Sequence, residues 1–229
     1  MDFSYLDRNM ALVRERIDRA HAAAGRTDEV TLIAAVKSGE VEEINYLHQN
    51  LGISHIGENR VQQLLDRYEK YDRVGLSIHF IGHLQTNKVK YIIDKVDMIH
   101  SLDSEKLAAE IDRQAQKHGI VMNVLVEINS GREENKSGVM PEDAEALCLS
   151  LKQYSGLRLC GFMTMAPVCE TADAYRVYFD EVAQLANTLW QALGYEGKPV
   201  ISMGMSESFE PAIASGATAV RVGRKLFEK

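Results

Sequence analysis

Residues 30–59, VTLIAAVKSGEVEEINYLHQNLGISHIGEN, contain the pattern on which the fold depends. The first seven residues are apolar or β-branched without interruption, which is typical of a parallel strand buried on both faces. A polar turn follows, and residues 41–50 then have the spacing of an amphipathic helix. A second short apolar run, ISHI, starts at Ile53. A strand, a helix and a strand in this order predict a β-α-β unit with parallel strands.

The same alternation continues to the end of the chain. The apolar runs are VTLIAAV from Val30, ISHI from Ile53, IHFI from Ile78, MIH from Met98, MNVLVEI from Met122, LRLCGFM from Leu157, PVISM from Pro199 and TAVRV from Thr218. The helix-compatible segments between them include residues 41–50, 58–71, 104–117, 141–153 and 172–193. Eight strand-helix units in about 200 residues match the compact end of the (β/α)₈ size range. We therefore predict the α/β class and a single TIM-barrel domain over residues 1–229.

An extra helix is predicted before the first strand. Between about residues 3 and 24, apolar side chains recur at spacings of three and four and then stop at Gly25. The alternative fold is an open α/β sheet of six strands, which would follow if the weak runs MIH and ISHI were loops.

Composition limits the classes of partner. The chain has 229 residues, 45% of them hydrophobic, and a formal net charge of −7. An acidic protein lacks the broad basic face that nucleic acid or anionic lipid requires. No run approaches the roughly 20 apolar residues of a membrane span, and the first residues lack a signal-peptide pattern. We expect a cytoplasmic protein that binds neither nucleic acid nor membranes.

Lys37 is the first candidate for chemistry, because it follows the first apolar run directly. In a barrel of this type the loops after the strands build the active site. An ammonium group there would lie beside desolvating walls, and such burial lowers a lysine pKa and favours imine chemistry. The alternative is an ordinary solvated lysine at the start of a loop.

Two turns near the end of the chain are candidates for binding phosphate. SMGMS, ending at Ser206, leads into a segment that begins with Glu207, and VRVG, ending at Gly223, leads into another helical turn. Glycine lets a backbone approach a ligand closely, and free amides at such turns donate to anions. Barrels of this type frequently bind phosphate after strands seven and eight.

Arg221 lies within the last apolar run, so it is predicted to need a partner inside the barrel wall. The partner is either an inward acid such as Glu127 or the ring nitrogen of a ligand. His79, His83 and His100 lack the spacing of a metal site and are expected to be core or rim histidines. No G-x-S-x-G elbow, Walker loop or GxGxxG fingerprint occurs in the sequence.

The motifs together resemble the pyridoxal phosphate homeostasis protein family, the single-barrel relatives of the N-terminal domain of alanine racemase. The resemblance spans nearly the whole chain and rests, in order, on AAVKS around Lys37, HIGENRVQ from His55, HFIGHLQTNK from His79, IHSLDS from Ile99, NKSG from Asn135, GFMTMAP from Gly161, SMGMS from Ser202 and VRVG from Val220.

The resemblance implies that the cofactor is pyridoxal 5′-phosphate, held as an internal aldimine on Lys37. It implies that Ser206, Gly223 and the amide of Arg224 hold the phosphate, and that Asn59 belongs to the pocket. No metal is implied.

The resemblance also implies that Arg221 faces the pyridine nitrogen. An arginine at that position disfavours protonation of the ring, so the cofactor becomes a poorer electron sink for carbanions. Broad carbanion catalysis is thereby discouraged.

Two positions depart from the family pattern. Gly39-Glu40 stands where a Lys-Pro pair is more usual, so a loop lysine that helps cofactor exchange is missing. Arg224 stands where a small hydroxyl residue is more usual, which puts the phosphate affinity in question.

The leading hypothesis for function is a non-catalytic, monomeric protein that stores, buffers or delivers pyridoxal phosphate to dependent apoenzymes and thereby affects amino-acid metabolism. The alternative is a racemase-type enzyme that uses Lys37 and a second acid. The racemases bring a catalytic tyrosine on a second domain, which is expected to be absent because this sequence ends at Lys229. A third hypothesis is an anion-binding sugar-phosphate enzyme without a Schiff base.

Overall fold

The computed structural model describes residues 2–229. Eight parallel strands close into a barrel in chain order, and each strand pairs with the next. They are β1 (Thr31–Ala35), β2 (His55–Glu58), β3 (Ser77–Phe80), β4 (Met98–Leu102), β5 (Met122–Ile128), β6 (Leu157–Thr164), β7 (Val200–Ser202) and β8 (Ala219–Val222). Closure comes from β1 and β8, where Leu32 lies opposite Val220 and Ala34 opposite Val222. The predicted (β/α)₈ barrel is confirmed, and the open sheet of six strands is wrong because ISHI and MIH both contribute to strands.

Helices surround the barrel. They are α1 (Ser4–Ala23), α2 (Val41–Leu51), α3 (Val61–Arg67), α4 (Val89–Ile92), α5 (Glu105–His118), α6 (Ala144–Leu151), α7 (Ala172–Ala192), α8 (Phe209–Ala214) and α9 (Arg224–Phe227). Within residues 2–229, none of these helices has the length and apolarity needed to cross a membrane.

Side-chain alternation divides the core into two parts. On β5, Val124, Val126 and Ile128 belong to the large hydrophobic cluster that also contains residues of the surrounding helices. Leu125 and Glu127 alternate with them and are also buried, so they face the barrel interior. Both faces of the strand are therefore covered, which explains why the strands appear in the sequence as continuous apolar runs.

The extra N-terminal helix is present as predicted. Its buried side chains are Leu6, Met10, Val13 and Ile17, all on one face. The helix contacts α8 and α9, and the side-chain amide of Asn9 donates to the carbonyl oxygens of Leu226 (3.0 Å) and Glu228 (2.7 Å). It thereby packs against the elements that follow β7 and β8.

The structure differs from the predicted element bounds in three places. The helix expected over 58–71 begins only at Val61, because β2 continues to Glu58, and its last turn is a 3₁₀ turn over Tyr68–Lys70. The helix expected over 141–153 starts with a 3₁₀ turn at Pro141. The short helix α4 was not predicted, because one turn is too short to show a periodic pattern.

Candidate functional site

The ends of β1 and β8 bring Lys37 and Gly223 to the same side of the barrel mouth. Gly223 directly follows the C-terminal end of β8. Lys37 lies two residues after the C-terminal end of β1, the strand that pairs with β8. A Cβ atom at Gly223 would lie only 2.7 Å from the carbonyl oxygen of Ala35. A side chain at position 223 would therefore collide with the backbone that leads to Lys37.

Lys37 lies in a 3₁₀ turn, Val36–Ser38, whose backbone is held from α3. The Arg67 guanidinium donates to the carbonyl oxygen of Val36 at 3.1 Å, and the Gln63 amide donates to that of Lys37, also at 3.1 Å. The side chain itself is exposed. The expectation that Lys37 is desolvated is therefore wrong for this structure, because the lysine lies one residue beyond the end of the apolar wall.

Gly39 packs closely against the Phe227 side chain near the C-terminal residue Lys229. A Cβ atom at this position would lie 2.3 Å from the Phe227 ring. Phe227 is buried and ends α9. The departure from the Lys-Pro pair of the family pattern thus has a packing reason in this chain. The neighbouring Glu40 precedes α2, and its amide donates to the Glu43 carboxylate at 2.8 Å.

The turns after β7 and β8 contact each other through Ser206. Its hydroxyl oxygen accepts long hydrogen bonds from the amides of Gly223 (3.4 Å) and Lys225 (3.5 Å). The amides of Ser206, Glu207 and Arg224 donate to no acceptor among residues 2–229. Two loops therefore offer a hydroxyl group and several backbone donors at one place, which is the donor set that binds a phosphate.

Gly204 shapes the first of these turns. Its φ is +89°, and a Cβ there would lie 2.5 Å from that of Ala212 and 2.9 Å from the Cα of Phe209. Only glycine combines this backbone angle with such close packing against α8.

Arg224 contributes its backbone to this place, while its side chain is exposed. No hydrogen bond or ion pair of the Arg224 guanidinium occurs within the part of the chain that the structure describes. The neighbouring Lys225 ammonium instead pairs with Glu207 at 3.3 Å. The amide of Arg224 at the start of α9 is a donor without an acceptor among residues 2–229.

Asn59 lies directly after β2, next to the loop after β3. A Cβ at Gly82 would lie 2.0 Å from the carbonyl oxygen of Asn59, so the two loops touch through their backbones. The half-buried side chain of Asn59 makes no hydrogen bond within residues 2–229. Its amide is therefore available to a ligand at the mouth.

Arg221 is 3% exposed and lies inside the barrel. Its guanidinium donates to the Ser202 hydroxyl at 2.7 Å and to the carbonyl oxygen of Thr164 at 2.9 Å. No carboxylate of residues 2–229 lies within 4 Å of it, so the ion pair with Glu127 that the sequence left open is not formed. Sequence reasoning did not single out Ser202 as a partner of Arg221, although a hydroxyl residue in the apolar run PVISM was a signal for an inward polar contact.

Glu127 lies near this part of the interior, and its side chain has no hydrogen-bond or ion-pair partner among residues 2–229. Burial, together with the nearby Asp103, raises the pKa of its carboxyl to about 7, while Arg221 acts in the opposite direction. Glu127 is therefore only partly ionised near neutral pH.

His79 and His100 are buried and hydrogen-bonded through their rings, whereas His83 is exposed at the rim, so the expectation of core or rim histidines is confirmed. Residues 2–229 contain no group of three or more His, Cys, Asp or Glu side chains arranged to hold a metal ion.

Comparison with protein families gives a match over almost the entire chain. The family model for the alanine racemase N-terminal domain matches residues 8–228. The pyridoxal phosphate homeostasis protein of Aquifex aeolicus is 42% identical over 219 residues, which cover 95% of both chains. The protein of the same name from Escherichia coli is 32% identical over 224 residues, covering 96% of this chain and 94% of the relative.

Solved structures agree with these matches. PipY of Synechococcus elongatus without PLP superposes with a TM-score of 0.85 at 31% identity, covering 96% of this chain and 98% of PipY. The structure of PipY with PLP bound gives 0.79 at 31% identity, covering 93% and 99%. An alanine racemase of Clostridium difficile, at 18% identity and a TM-score of 0.73, shares the fold over 56% of its own length.

Proposed function

Because this chain belongs to the alanine racemase N-terminal domain family, and within it to the pyridoxal phosphate homeostasis proteins, we propose that it binds pyridoxal 5′-phosphate covalently through Lys37. Its role is to store, buffer or deliver this cofactor rather than to turn over a substrate. The observation that carries the proposal is that the turn containing Lys37 lies next to the loops after β7 and β8, which offer free backbone donors. The backbones are so close that a Cβ at Gly223 would lie 2.7 Å from the carbonyl oxygen of Ala35.

The residues at the mouth fit the chemistry of the cofactor. Lys37 supplies a primary amine for a Schiff base with the aldehyde, and its exposure leaves it open to incoming cofactor. The hydroxyl of Ser206 and the amides of Gly223 and Arg224 supply donors for the phosphate. The two hydrogen bonds that Ser206 now accepts are long, so phosphate oxygens can replace them at little cost.

Arg221 bears on the question of catalysis. When bound, the cofactor supplies an electron sink whose strength depends on protonation of its ring nitrogen. The Arg221 guanidinium, held by Ser202 and Thr164, would donate a hydrogen bond to that nitrogen without transferring the proton, because arginine stays charged at neutral pH. Arg221 therefore discourages broad carbanion catalysis, because an unprotonated ring is a poorer electron sink.

Arg224 adds a charge near the phosphate loops, and Asn59 adds an amide after β2, the strand that pairs with β1. We place the protein in the cytoplasm as a monomer that serves PLP-dependent apoenzymes.

An absorbance titration with pyridoxal phosphate tests the proposal. Wild-type protein is expected to develop the band of a protonated Schiff base, and Lys37→Ala to lack it. Lys198→Ala is the matched control, because Lys198 is an exposed lysine at the opposite mouth of the barrel. Retention of the band in Lys37→Ala would contradict the proposal.

Incubation of the loaded protein with a panel of L-amino acids tests the carrier role. We expect racemisation and keto-acid release no faster than with free cofactor. Turnover well above that level, lost in Lys37→Ala, would support the racemase-type enzyme instead.

A further inference from the structure

A row of three imidazoles crosses the barrel interior and ends at Arg221. His55 Nδ1 lies 2.9 Å from His79 Nε2, and His79 Nδ1 lies 2.9 Å from His100 Nε2. His100 Nδ1 lies 3.1 Å from the Ser202 hydroxyl, which accepts from Arg221 at 2.7 Å. We name these groups, His55, His79, His100 and Ser202, the histidine row.

Arg221 needs such a row because its charge is buried without a counterion. No carboxylate of the described residues lies within 4 Å of the guanidinium, and Glu127 is held partly neutral by burial. A buried charge that is not paired has to be stabilised by oriented dipoles. The direct dipoles are the Thr164 carbonyl and the Ser202 hydroxyl.

The imidazoles of the row are neutral, with one N–H each. Burial lowers the pKa of His79 to about 3 and that of His100 well below its usual value. Burial also lowers the pKa of His55, although the carboxylates of Asp97 and Glu29 act in the opposite direction. Each ring therefore donates through one nitrogen and accepts through the other.

Proton counting fixes the direction of the row. Arg221 occupies one lone pair of Ser202, and His100 is the only other partner of that hydroxyl among residues 2–229. The buried Ser202 hydrogen must therefore point at His100 Nδ1, since the reverse arrangement leaves it without an acceptor. His100 then carries its hydrogen on Nε2.

The direction of hydrogen bonding at His100 fixes the direction at His79 and His55. His100 Nε2–H donates to His79 Nδ1, so His79 carries its hydrogen on Nε2 and donates to His55 Nδ1. The Ser77 hydroxyl, 3.3 Å from His79 Nε2, fits this arrangement as a second acceptor. His55 Nε2–H is left without a partner among residues 2–229, and the half-buried His55 lines a cavity of about 360 Å³ at the N-terminal mouth of the barrel.

We propose that the histidine row positions Arg221. Its imidazoles are all Nε2–H tautomers, so the unprotonated nitrogen of each ring is on the side towards the guanidinium. This arrangement stabilises the charge of Arg221 and fixes the orientation of its side chain. Its effect on a bound pyridine ring rests on the proposed function, whereas the direction of the row does not. The row acts through Arg221, which it contacts by way of Ser202, so its members are positioning residues.

Nitrogen NMR of the cofactor-free protein tests the direction of the row. A long-range ¹H–¹⁵N spectrum distinguishes the protonated from the unprotonated nitrogen of each ring. We expect His55, His79 and His100 to be Nε2–H tautomers with about a tenfold or greater excess over the other form. Protonation of His100 at Nδ1 in the wild-type protein would overturn the proposal.

Ser202→Ala removes the hydroxyl that sets the direction. We expect the tautomer excess to fall several-fold at His100 and also at His79 and His55, which a merely local packing defect would not cause. Ser101→Ala is the matched control, because Ser101 is also fully buried, on β4, and its hydroxyl makes no hydrogen bond within residues 2–229. Unchanged tautomers at His79 and His55 in folded Ser202→Ala protein would contradict the proposal.

The effect of the histidine row on cofactor affinity is measured in a separate binding experiment. Ser202→Ala protein is expected to bind pyridoxal phosphate about threefold to tenfold more weakly than Ser101→Ala protein. The reason is that Arg221 loses one of its two hydrogen-bond partners. If wild-type protein bound no pyridoxal phosphate, the proposed function would fail while the NMR result still judged the histidine row. Equal affinity of the two variants would restrict the row to a role in the free protein and contradict its role in aiming Arg221.

Discussion

Lys37 and Arg221 illustrate how the position of a cation relative to the end of a barrel strand changes its environment. Arg221 lies within β8 and is held by two hydrogen bonds in the interior, whereas Lys37 lies beyond the end of β1 and is exposed. The sequence correctly predicted that Arg221 points inward and needs a partner. It could not identify those partners, because Ser202 and Thr164 come close to Arg221 only through the pairing of β6, β7 and β8 in the sheet.

At Glu127 the structure leads to a prediction about pH. Its pKa is raised from 4.5 to about 7 in the folded protein, so the folded state holds its proton more tightly than the unfolded state does. Stability from this group is therefore lost as pH rises from about 4.5 to about 7, by on the order of 3 kcal/mol at most. Glu127→Gln, which has no such proton to lose, should gain stability over wild type as pH increases.

Urea unfolding at about pH 5 and about pH 8 measures this effect. Glu134→Gln is the control, because Glu134 is exposed on a loop and makes no ion pair among residues 2–229. An equal difference between Glu127→Gln and wild type at both pH values would contradict the raised pKa.

Adding a side chain at Gly39 is expected to destabilise the folded protein while Phe227 is present. Gly39→Ala forces the Phe227 ring to move, because the new Cβ would lie 2.3 Å from it, and overpacking of this kind costs about 1–3 kcal/mol. The double variant Gly39→Ala with Phe227→Leu should recover part of the loss. A double-mutant cycle by thermal unfolding gives the coupling energy, and a value near zero would show that the ring does not limit position 39.

At the scale of the elements, β6 contains a backbone position that decides how β5, β6 and β7 fit together. Gly161 has φ +149°, and a Cβ there would lie 2.0 Å from the carbonyl oxygen of Val200 on β7. The pairing of β5 with β6 shifts register between Val124 and Leu125, next to this glycine. The irregularity lets β6 bend while both neighbours stay paired.

Gly161→Ala is therefore expected to cost about 4 kcal/mol or more, or to prevent folding, because backbone rather than a flexible side chain blocks the new atom. Gly119→Ala is the control: Gly119 ends α5 with φ +65° and has nothing within 4 Å of a new Cβ, so it should cost only about 1–2 kcal/mol. Circular dichroism and urea unfolding of both variants check the ranking, and similar losses would contradict the account of β6.

The order and type of the elements could be predicted from sequence because continuous apolar runs and helical periods both survive in a single chain. The bounds were less accessible: β2 extends to Glu58, a buried acid whose carboxylate accepts from the Tyr71 hydroxyl at 2.5 Å. A buried acid whose hydrogen-bond partner lies 13 residues further along the chain has no local signal in the sequence. The histidine row was hidden for the same reason, since its members lie on four different strands.

At the scale of the whole molecule, closure of the barrel is what assembles the site. Lys37 and Gly223 are far apart in sequence, and they become neighbours only because β1 pairs with β8. The candidate phosphate donors could be predicted because loops after strands seven and eight recur in this role. The exposure of Lys37 could not, because it depends on the exact residue at which β1 ends.

Borohydride reduction of the protein loaded with pyridoxal phosphate, followed by peptide mapping, identifies the lysine that holds the cofactor. Reduction converts a Schiff base into a stable amine and so marks the lysine that carries it. The account predicts the added mass on the peptide containing Lys37 and none on Lys198 at the opposite mouth. Label on another lysine with Lys37 unmodified, or label spread evenly over the exposed lysines, would contradict it.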